Sequence, residues 1–185
     1  MIDGQGFDKA KGSCTQEMSE RCLIFGYGNP ARGDDGLGPA LISQLEKGPE
    51  LQGVTLDSNY QLTVEDSWSI AHHDVVIFVD ADTSAETPFY FKRVEPTSEI
   101  SFSSHSVRAE VLLGMAESLF GKMVRGYFLG VRGYRFDMFK EDLSPEASDN
   151  LNKAKAFLYS VLKSGEFDRD LHYDATKPNP KEVKI

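Results

Sequence analysis

Cysteine is scarce in this sequence, with only Cys14 and Cys22 among 185 residues. Two thiols can form at most one disulfide and cannot supply a four-thiolate zinc site, so a disulfide-rich secreted scaffold is excluded. The compartment that such a chain fits best is a reduced cytoplasm.

Long apolar runs are also missing. No stretch approaches 18 consecutive apolar residues, and the first 20 residues contain no apolar segment of the kind that a signal peptide needs. The sequence therefore predicts neither secretion nor a membrane partner.

Basic residues are outnumbered, since 20 Lys and Arg stand against 29 Asp and Glu for a formal net charge of −9. A general nucleic-acid binder needs a basic surface that neutralises phosphates. The charge balance therefore predicts no nucleic-acid partner, and the acidic surface favours solubility.

The length and the polar ends of the chain predict its domain organisation. A chain of 185 residues has the size of one domain. Residues 1–20 lack apolar periodicity, and residues 166–185 are charged and interrupted by proline. We therefore predict a single α/β domain over 21–165, with a polar tail at each end.

Short apolar runs that alternate with helical periodicity predict a layered fold. The runs within 21–28 and 74–82 are continuously apolar, as expected for strands buried on both faces of a sheet. The predicted strands cover 21–28, 54–60, 74–82, 89–96 and 126–133, the fourth being hairpin-like. With helices between most of them, the order predicts a three-layer α/β/α domain with a mostly parallel sheet.

Four helices are expected, over about 37–45, 63–72, 107–120 and 145–164. In the second, we expect Thr63 to cap the helix and Val64, Trp68 and Ala71 to form its apolar side. The fourth is marked by Ser144 and Pro145 at its start and by Gly165 at its end.

The turn after the first strand, GYGNPARGDDGLG (26–38), holds five glycines and two adjacent carboxylates, Asp34 and Asp35. Either carboxylate could simply cap the first helix, where an acidic side chain complements the helix dipole. Five glycines and two acids in thirteen residues are more than a cap requires, so a functional role is the preferred interpretation.

The same turn formally matches a dinucleotide fingerprint through Gly26, Gly28 and Ala31, with Asp57 placed like a ribose-binding acid. Two features disfavour this alternative. Pro30 removes an amide donor, and the acids at the start of the helix would repel a pyrophosphate.

Two further polar positions belong to the same edge of the predicted sheet, because ligands of open α/β sheets bind beyond the carboxyl ends of the strands. Asp80 follows the third strand, and His105 lies in SSHS (103–106) before the third helix. The positive end of a helix dipole disfavours protonation of a histidine and keeps a nitrogen lone pair available. Asp35, Asp80 and His105 would thus form an oxygen, oxygen, nitrogen set that suits nickel or zinc without choosing between them.

GYGNPARGDDGLG, FVDAD (78–82), SSHS and GYFLGVRG (126–133) together resemble the hydrogenase maturation proteases. These endopeptidases remove a C-terminal extension from the large subunit of nickel-iron hydrogenases. The resemblance runs from about Cys22 to Leu162 and implies a twisted five-stranded sheet between helices. It implies that Asp35, Asp80 and His105 are the catalytic and metal-contacting residues, Asp35 standing where several members carry Glu.

The resemblance further implies that nickel is supplied by the substrate, the precursor of a nickel-iron hydrogenase large subunit, and that no tightly bound organic cofactor is needed. The protease would recognise the inserted nickel with its own open set of ligands before it cleaves the precursor. Segments 59–62 and 130–135 could shape the substrate groove, or simply pack as loops. A metal-sensing protein of the same fold without peptidase activity, and a dinucleotide-binding enzyme, remain as alternatives.

Overall fold

The computed structural model describes residues 20–98 and 107–168. The predicted α/β fold class is confirmed, and each predicted strand is found within about two residues of its expected bounds. The strands are β1 (Cys22–Tyr27), β2 (Val54–Asn59), β3 (Val75–Asp82), β4 (Phe89–Val94) and β5 (Arg125–Arg132). The helices are α1 (Leu37–Glu46), α2 (Asp66–Ala71), α3 (Ala109–Phe120) and α4 (Pro145–Ser164), with a 3₁₀ turn at Gly33–Gly36 before α1.

The strands form one five-stranded sheet in the order β2-β1-β3-β5-β4, in which only the β4–β5 pair is antiparallel. The expected hairpin of β4 with β3 does not form, because β5 lies between these two strands. Neighbouring β1 and β3 run in parallel, with Gly26 opposite Val79. The carboxyl ends of these two central strands therefore meet at the same edge.

Helices cover both faces of the sheet and divide the core into two clusters. One cluster joins the sheet to α1 and α4 through residues such as Leu41 and Leu158, and the other joins it to α2 and α3 through residues such as Ile70 and Leu112. The side chains of 75–79 in β3 are fully buried, which explains their unbroken apolar run. Each such side chain contributes about 1.5–3 kcal/mol to folding.

The bounds of α4 follow from its capping residues as predicted. The Ser144 hydroxyl accepts the backbone N–H of Ala147 at 3.3 Å, and Pro145 occupies the first helical position. Gly165 ends the helix with φ of 67°, a left-handed conformation that glycine adopts without strain.

The predicted apolar side of α2 is only partly correct, because Ala71 packs against the core whereas Val64 and Trp68 are exposed. The predicted cap is wrong, since Thr63 lies before the N-cap position, Glu65, and no side chain caps the helix. The helix begins at Asp66, whose carboxylate accepts the backbone N–H of Thr63 at 2.7 Å, and it buries Ser67 and Ile70. Trp68 is 58% exposed, because a helix of six residues presents one narrow stripe to the sheet and Trp68 lies about 100° around the axis from Ser67.

Both predicted tails lie mostly outside the described residues, so the domain boundaries at 21 and 165 stay predictions. Just beyond Gly165, Phe167 is buried and stacks on Tyr127 with ring centroids 5.4 Å apart. In the part of the chain that the structure describes, no helix combines the length and hydrophobicity that a membrane crossing requires.

Candidate functional site

The turn between β1 and α1 folds tightly around Gly28. This glycine has φ of 131°, and an added Cβ would overlap the carbonyl oxygen of Asp35. Asn29 accepts the N–H of Ala31 through its side chain at 2.9 Å and donates its own N–H to the Asp35 carboxylate at 3.2 Å. The turn thereby places Asp35 beside the carboxyl end of β1.

Asp35 is the more accessible of the two adjacent acids. Its side chain is 24% exposed, and the Arg32 guanidinium lies 3.6 Å from its carboxylate. A surface ion pair of this length holds its partners weakly, so the carboxylate is free to exchange Arg32 for another cation.

Asp80 lies two residues before the end of β3, opposite Gly130 of β5, and its carboxylate accepts the N–H of Ala81 at 2.7 Å. Burial raises the pKa of Asp80 to about 7, against the hydrogen bond from Ala81. The Asp35 carboxylate raises this pKa further, and the Tyr27 hydroxyl opposes the rise. The structure therefore brings Asp35 and Asp80 close enough for their charges to interact.

His105, the third predicted residue, lies outside the described residues, which resume at Val107. The first turn of α3 is described, and there the Glu110 carboxylate helps to raise the pKa of Tyr27, after burial and Asp80. The start of α3 thus lies near the edge that carries Asp80. Within 20–98 and 107–168, no group of three His, Cys, Asp or Glu side chains is arranged to hold a metal ion, so the three-residue set stays a prediction.

Asp34 has a structural role that the sequence did not reveal. Its carboxylate is fully buried and accepts four hydrogen bonds, from the N–H and hydroxyl of Ser144 at 2.6 and 2.7 Å and from the N–H groups of Tyr134 and Arg135 at 2.8 and 2.9 Å. Burial opposes ionisation, but these hydrogen bonds outweigh it and hold the pKa of Asp34 below its usual range. Asp34 therefore fastens the segment before α4 to the turn after β1.

A groove of about 220 Å³ opens next to Gly28 at the carboxyl end of β2. Its other lining residues are Pro30, Pro39, Ser58, Asn59 and Tyr60. Of the predicted groove segment 59–62, Tyr60 is 68% exposed, whereas Leu62 is buried in the core. Asn59 and the ring of Tyr60 are therefore the parts of this segment that line the groove.

The second predicted groove segment, 130–135, uses its two arginines within the protein. Arg132 donates to the backbone carbonyls of Thr83 and Ala85, and Arg135 donates to the carbonyl of Asp142 at 2.8 Å. These contacts favour the loop-packing interpretation of this segment.

Backbone atoms fill the space beside the two glycines of the dinucleotide-like pattern. A Cβ added to Gly26 would overlap the carbonyl of Gly38, and one added to Gly28 would overlap that of Asp35. Both glycines thus serve the close packing of the turn and α1 against β1, which leaves them unsuited to approach a pyrophosphate.

Comparison with known proteins gives a match in fold. The sequence matches no protein-family model and no curated protein. A solved structure of a [NiFe] hydrogenase maturation protease HycI from Thermococcus kodakarensis KOD1 is similar, with a TM-score of 0.62 and 21% identity over 78% of this chain and 94% of that chain.

Two further solved structures agree. The hydrogenase maturating endopeptidase HybD from E. coli has a TM-score of 0.65 and 20% identity over 78% of this chain and 93% of that one. A hydrogenase 2 maturation peptidase from Thaumarchaeota archaeon SCGC_AB-539-E09 has a TM-score of 0.58 and 23% identity over 77% and 97%. The predicted resemblance to the hydrogenase maturation proteases is thus confirmed for the fold of this chain.

Proposed function

We propose that this protein is an endopeptidase of hydrogenase maturation, which removes the C-terminal extension of a nickel-iron hydrogenase large-subunit precursor. The observation that carries the proposal is the pair of interacting carboxylates, Asp35 and Asp80, at the carboxyl edge of a sheet whose fold is that of the named endopeptidases. Ligands of open α/β sheets bind at this edge.

The two carboxylates favour a cation as part of what binds there. Like charges held close together repel each other, and a divalent cation between them relieves the repulsion. Asp35 has a partly exposed side chain and a weak partner in Arg32, so it can turn to a metal at little cost.

In this proposal the nickel belongs to the substrate. Asp35, Asp80 and His105 contact the nickel that the precursor already holds, so the metal bridges the two proteins and the loaded precursor binds more tightly than the empty one. The same three residues act on the peptide bond next to the metal. An open, three-residue set suits this role, since a closed four-ligand site would have no position for a second protein.

The groove beside Gly28 could hold the substrate residues on one side of the scissile peptide bond. It is continuous with the Asp35 turn, and the Tyr60 ring and two prolines give it an apolar wall. In this proposal a substrate side chain lies against this wall, beside the turn that carries Asp35. The proposal places this encounter in the cytoplasm, the compartment predicted from the low cysteine content.

The test is processing of a nickel-loaded precursor, followed by intact-mass spectrometry. Wild type should release one defined C-terminal peptide, and Asp35→Asn, Asp80→Asn and His105→Ala should each slow release by at least about 100-fold. Asp149→Asn is a matched control, because its side chain is 69% exposed on α4 and pairs with Lys153.

Each outcome has a distinct meaning. If wild type binds the loaded precursor without cutting it, the protein is a metal-sensing protein of this fold and the peptidase proposal is wrong. If all three variants cut as fast as wild type, the peptidase proposal stands and the site is wrong.

A further inference from the structure

A row of four residues crosses the sheet at the edge that carries Asp80. Gly130 of β5 lies opposite both Asp80 of β3 and Tyr90 of β4. On the other side of Asp80, Tyr27 follows the last paired positions of β1 and β3, Gly26 and Val79. The order across the strands is therefore Tyr27, Asp80, Gly130, Tyr90.

The members of this row share one face of the sheet. Side chains alternate along a strand, and positions side by side in neighbouring strands point the same way. Phe25 and Phe78, two residues before Tyr27 and Asp80, both belong to the core cluster beneath α2 and α3. Tyr27 itself packs against this cluster, so apolar contacts fix its ring beside Asp80 of the neighbouring strand.

The far side of Asp80 is closed by Tyr90. Because Gly130 has no side chain, the Tyr90 ring lies over it, and a Cβ on Gly130 would overlap the ring. The ring is held by stacking on Phe128, with centroids 6.0 Å apart, and by its hydroxyl, which donates to the Asp82 carboxylate at 3.0 Å. Asp80 is thus confined between two tyrosines.

We propose that Tyr27 is a positioning residue, whose hydroxyl holds the Asp80 carboxylate in one rotamer against the wall formed by the Tyr90 ring. The catalytic consequence rests on the proposed function, since it requires Asp80 to act in peptide hydrolysis. A tyrosine hydroxyl keeps its proton at neutral pH and can donate a hydrogen bond.

The physical reason is the narrow tolerance of a reacting site. A carboxylate that must meet a metal and a peptide at once loses rate when it samples several rotamers, and a hydrogen bond from a fixed neighbour removes that freedom. Loss of such an outer partner costs about 10- to 100-fold in activity.

The first arm of the test measures rotamers in the metal-free protein, without any substrate. Three-bond NMR couplings across the Cα–Cβ bond of Asp80 report whether its side chain holds one rotamer. We expect one rotamer in wild type and averaged couplings in Tyr27→Phe, which keeps the ring and loses the hydroxyl.

A matched control is Tyr127→Phe. Tyr127 is a buried tyrosine of the same sheet that donates to an aspartate, Asp168, at 2.8 Å, but it lies in the opposite core cluster. Its loss should leave the Asp80 couplings as they are in wild type. Unchanged couplings in Tyr27→Phe, or equal changes in both variants, would overturn the proposal.

The second arm measures single-turnover cleavage of the nickel-loaded precursor with protease in excess. At saturation the rate constant does not depend on the folded fraction of the enzyme, so a merely structural defect would not lower it. Tyr27→Phe should lower this rate constant about 10- to 100-fold and change the half-saturating concentration less than about 2-fold.

The two arms separate the two proposals. Averaged couplings in Tyr27→Phe, with no cleavage by wild type, would reject the proposed function and keep the positioning role. A wild-type rate in Tyr27→Phe would show that Tyr27 does not position Asp80 for the reaction, whatever the couplings report.

Discussion

Replacing Asp34 by asparagine should weaken the fold far more than the same change at its neighbour Asp35. The Asp34 carboxylate accepts four hydrogen bonds at 2.6–2.9 Å, two of them from Ser144. An asparagine keeps one acceptor oxygen. In its least damaging orientation the amide nitrogen faces the N–H of Ser144, which leaves that buried N–H without an acceptor and sets the two amide N–H donors against it.

The magnitude follows from these contacts. A buried N–H without an acceptor costs about 1–3 kcal/mol, and the other three hydrogen bonds lose the strengthening that a charged acceptor gives. Part of this cost is offset because no charge is buried any longer. We expect Asp34→Asn to lower the free energy of unfolding by about 2–4 kcal/mol and Asp35→Asn by less than about 1 kcal/mol.

The dependence on pH gives a second signature of Asp34. Its pKa in the folded protein is below the unfolded value of about 3.9, so its contribution is present above that pH and is lost as the pH falls through the folded pKa. The difference in the free energy of unfolding between wild type and Asp34→Asn should therefore become smaller below about pH 4.

The assay is urea denaturation followed by circular dichroism, because the single tryptophan, Trp68, is already 58% exposed and reports unfolding poorly. A decrease in the free energy of unfolding of less than about 1 kcal/mol for Asp34→Asn would refute the structural role of Asp34. Equal decreases for Asp34→Asn and Asp35→Asn would refute it as well.

Three further predictions concern other parts of the molecule. In the metal-free protein, Asp80 with a pKa of about 7 contributes stability that is full below about pH 4 and lost as the pH rises through 7. The free energy of unfolding of Asp80→Asn should therefore exceed that of wild type by about 1–3 kcal/mol at pH 8 and by less than half as much at pH 5, and an equal difference at both pH values would contradict this. Burial raises the pKa of the Cys22 thiol to about 12, so alkylation at pH 8, followed by peptide mass mapping, should be more than about 100-fold slower in the native than in the denatured protein. Tyr60→Ala should raise the half-saturating precursor concentration about 5-fold and change the free energy of unfolding by less than about 0.5 kcal/mol, and an unaltered affinity would exclude the groove beside Gly28 from the substrate path.

The strands and the long helix could be predicted because their sequence signals are local. The segment 75–79 is apolar at every position since both faces of β3 are covered, and α4 carries Ser144 and Gly165 at its ends. The position of β4 could not be predicted in the same way. Whether it pairs with β3 or β5 depends on contacts between distant segments, which leave no pattern in the segment itself.

The candidate site could be predicted in part. The order of strands and helices predicts that Asp35 and Asp80 lie at one edge, and the structure brings them close enough for their charges to interact. The contrasting roles of Asp34 and Asp35 could not be predicted, because adjacent identical side chains differ only in which way the turn points them. Asp34 faces donors at 134, 135 and 144, about a hundred residues away.

The contribution of Tyr27 was equally hidden, since a tyrosine at the end of an apolar strand is indistinguishable from a core residue. Its meeting with Asp80 depends on the register between β1 and β3, with Gly26 opposite Val79. Register is a property of the assembled sheet and not of either strand alone.

Nickel-dependent cleavage is tested with one hydrogenase large-subunit precursor in two forms, with and without nickel. Each form is incubated with the wild-type protein, and its mass is then measured by intact-mass spectrometry. The nickel-loaded form should lose one defined C-terminal peptide, whereas the nickel-free form should keep its full mass. Equal cleavage of both forms would contradict the reading of nickel by Asp35, Asp80 and His105, and cleavage of neither would contradict the peptidase function itself.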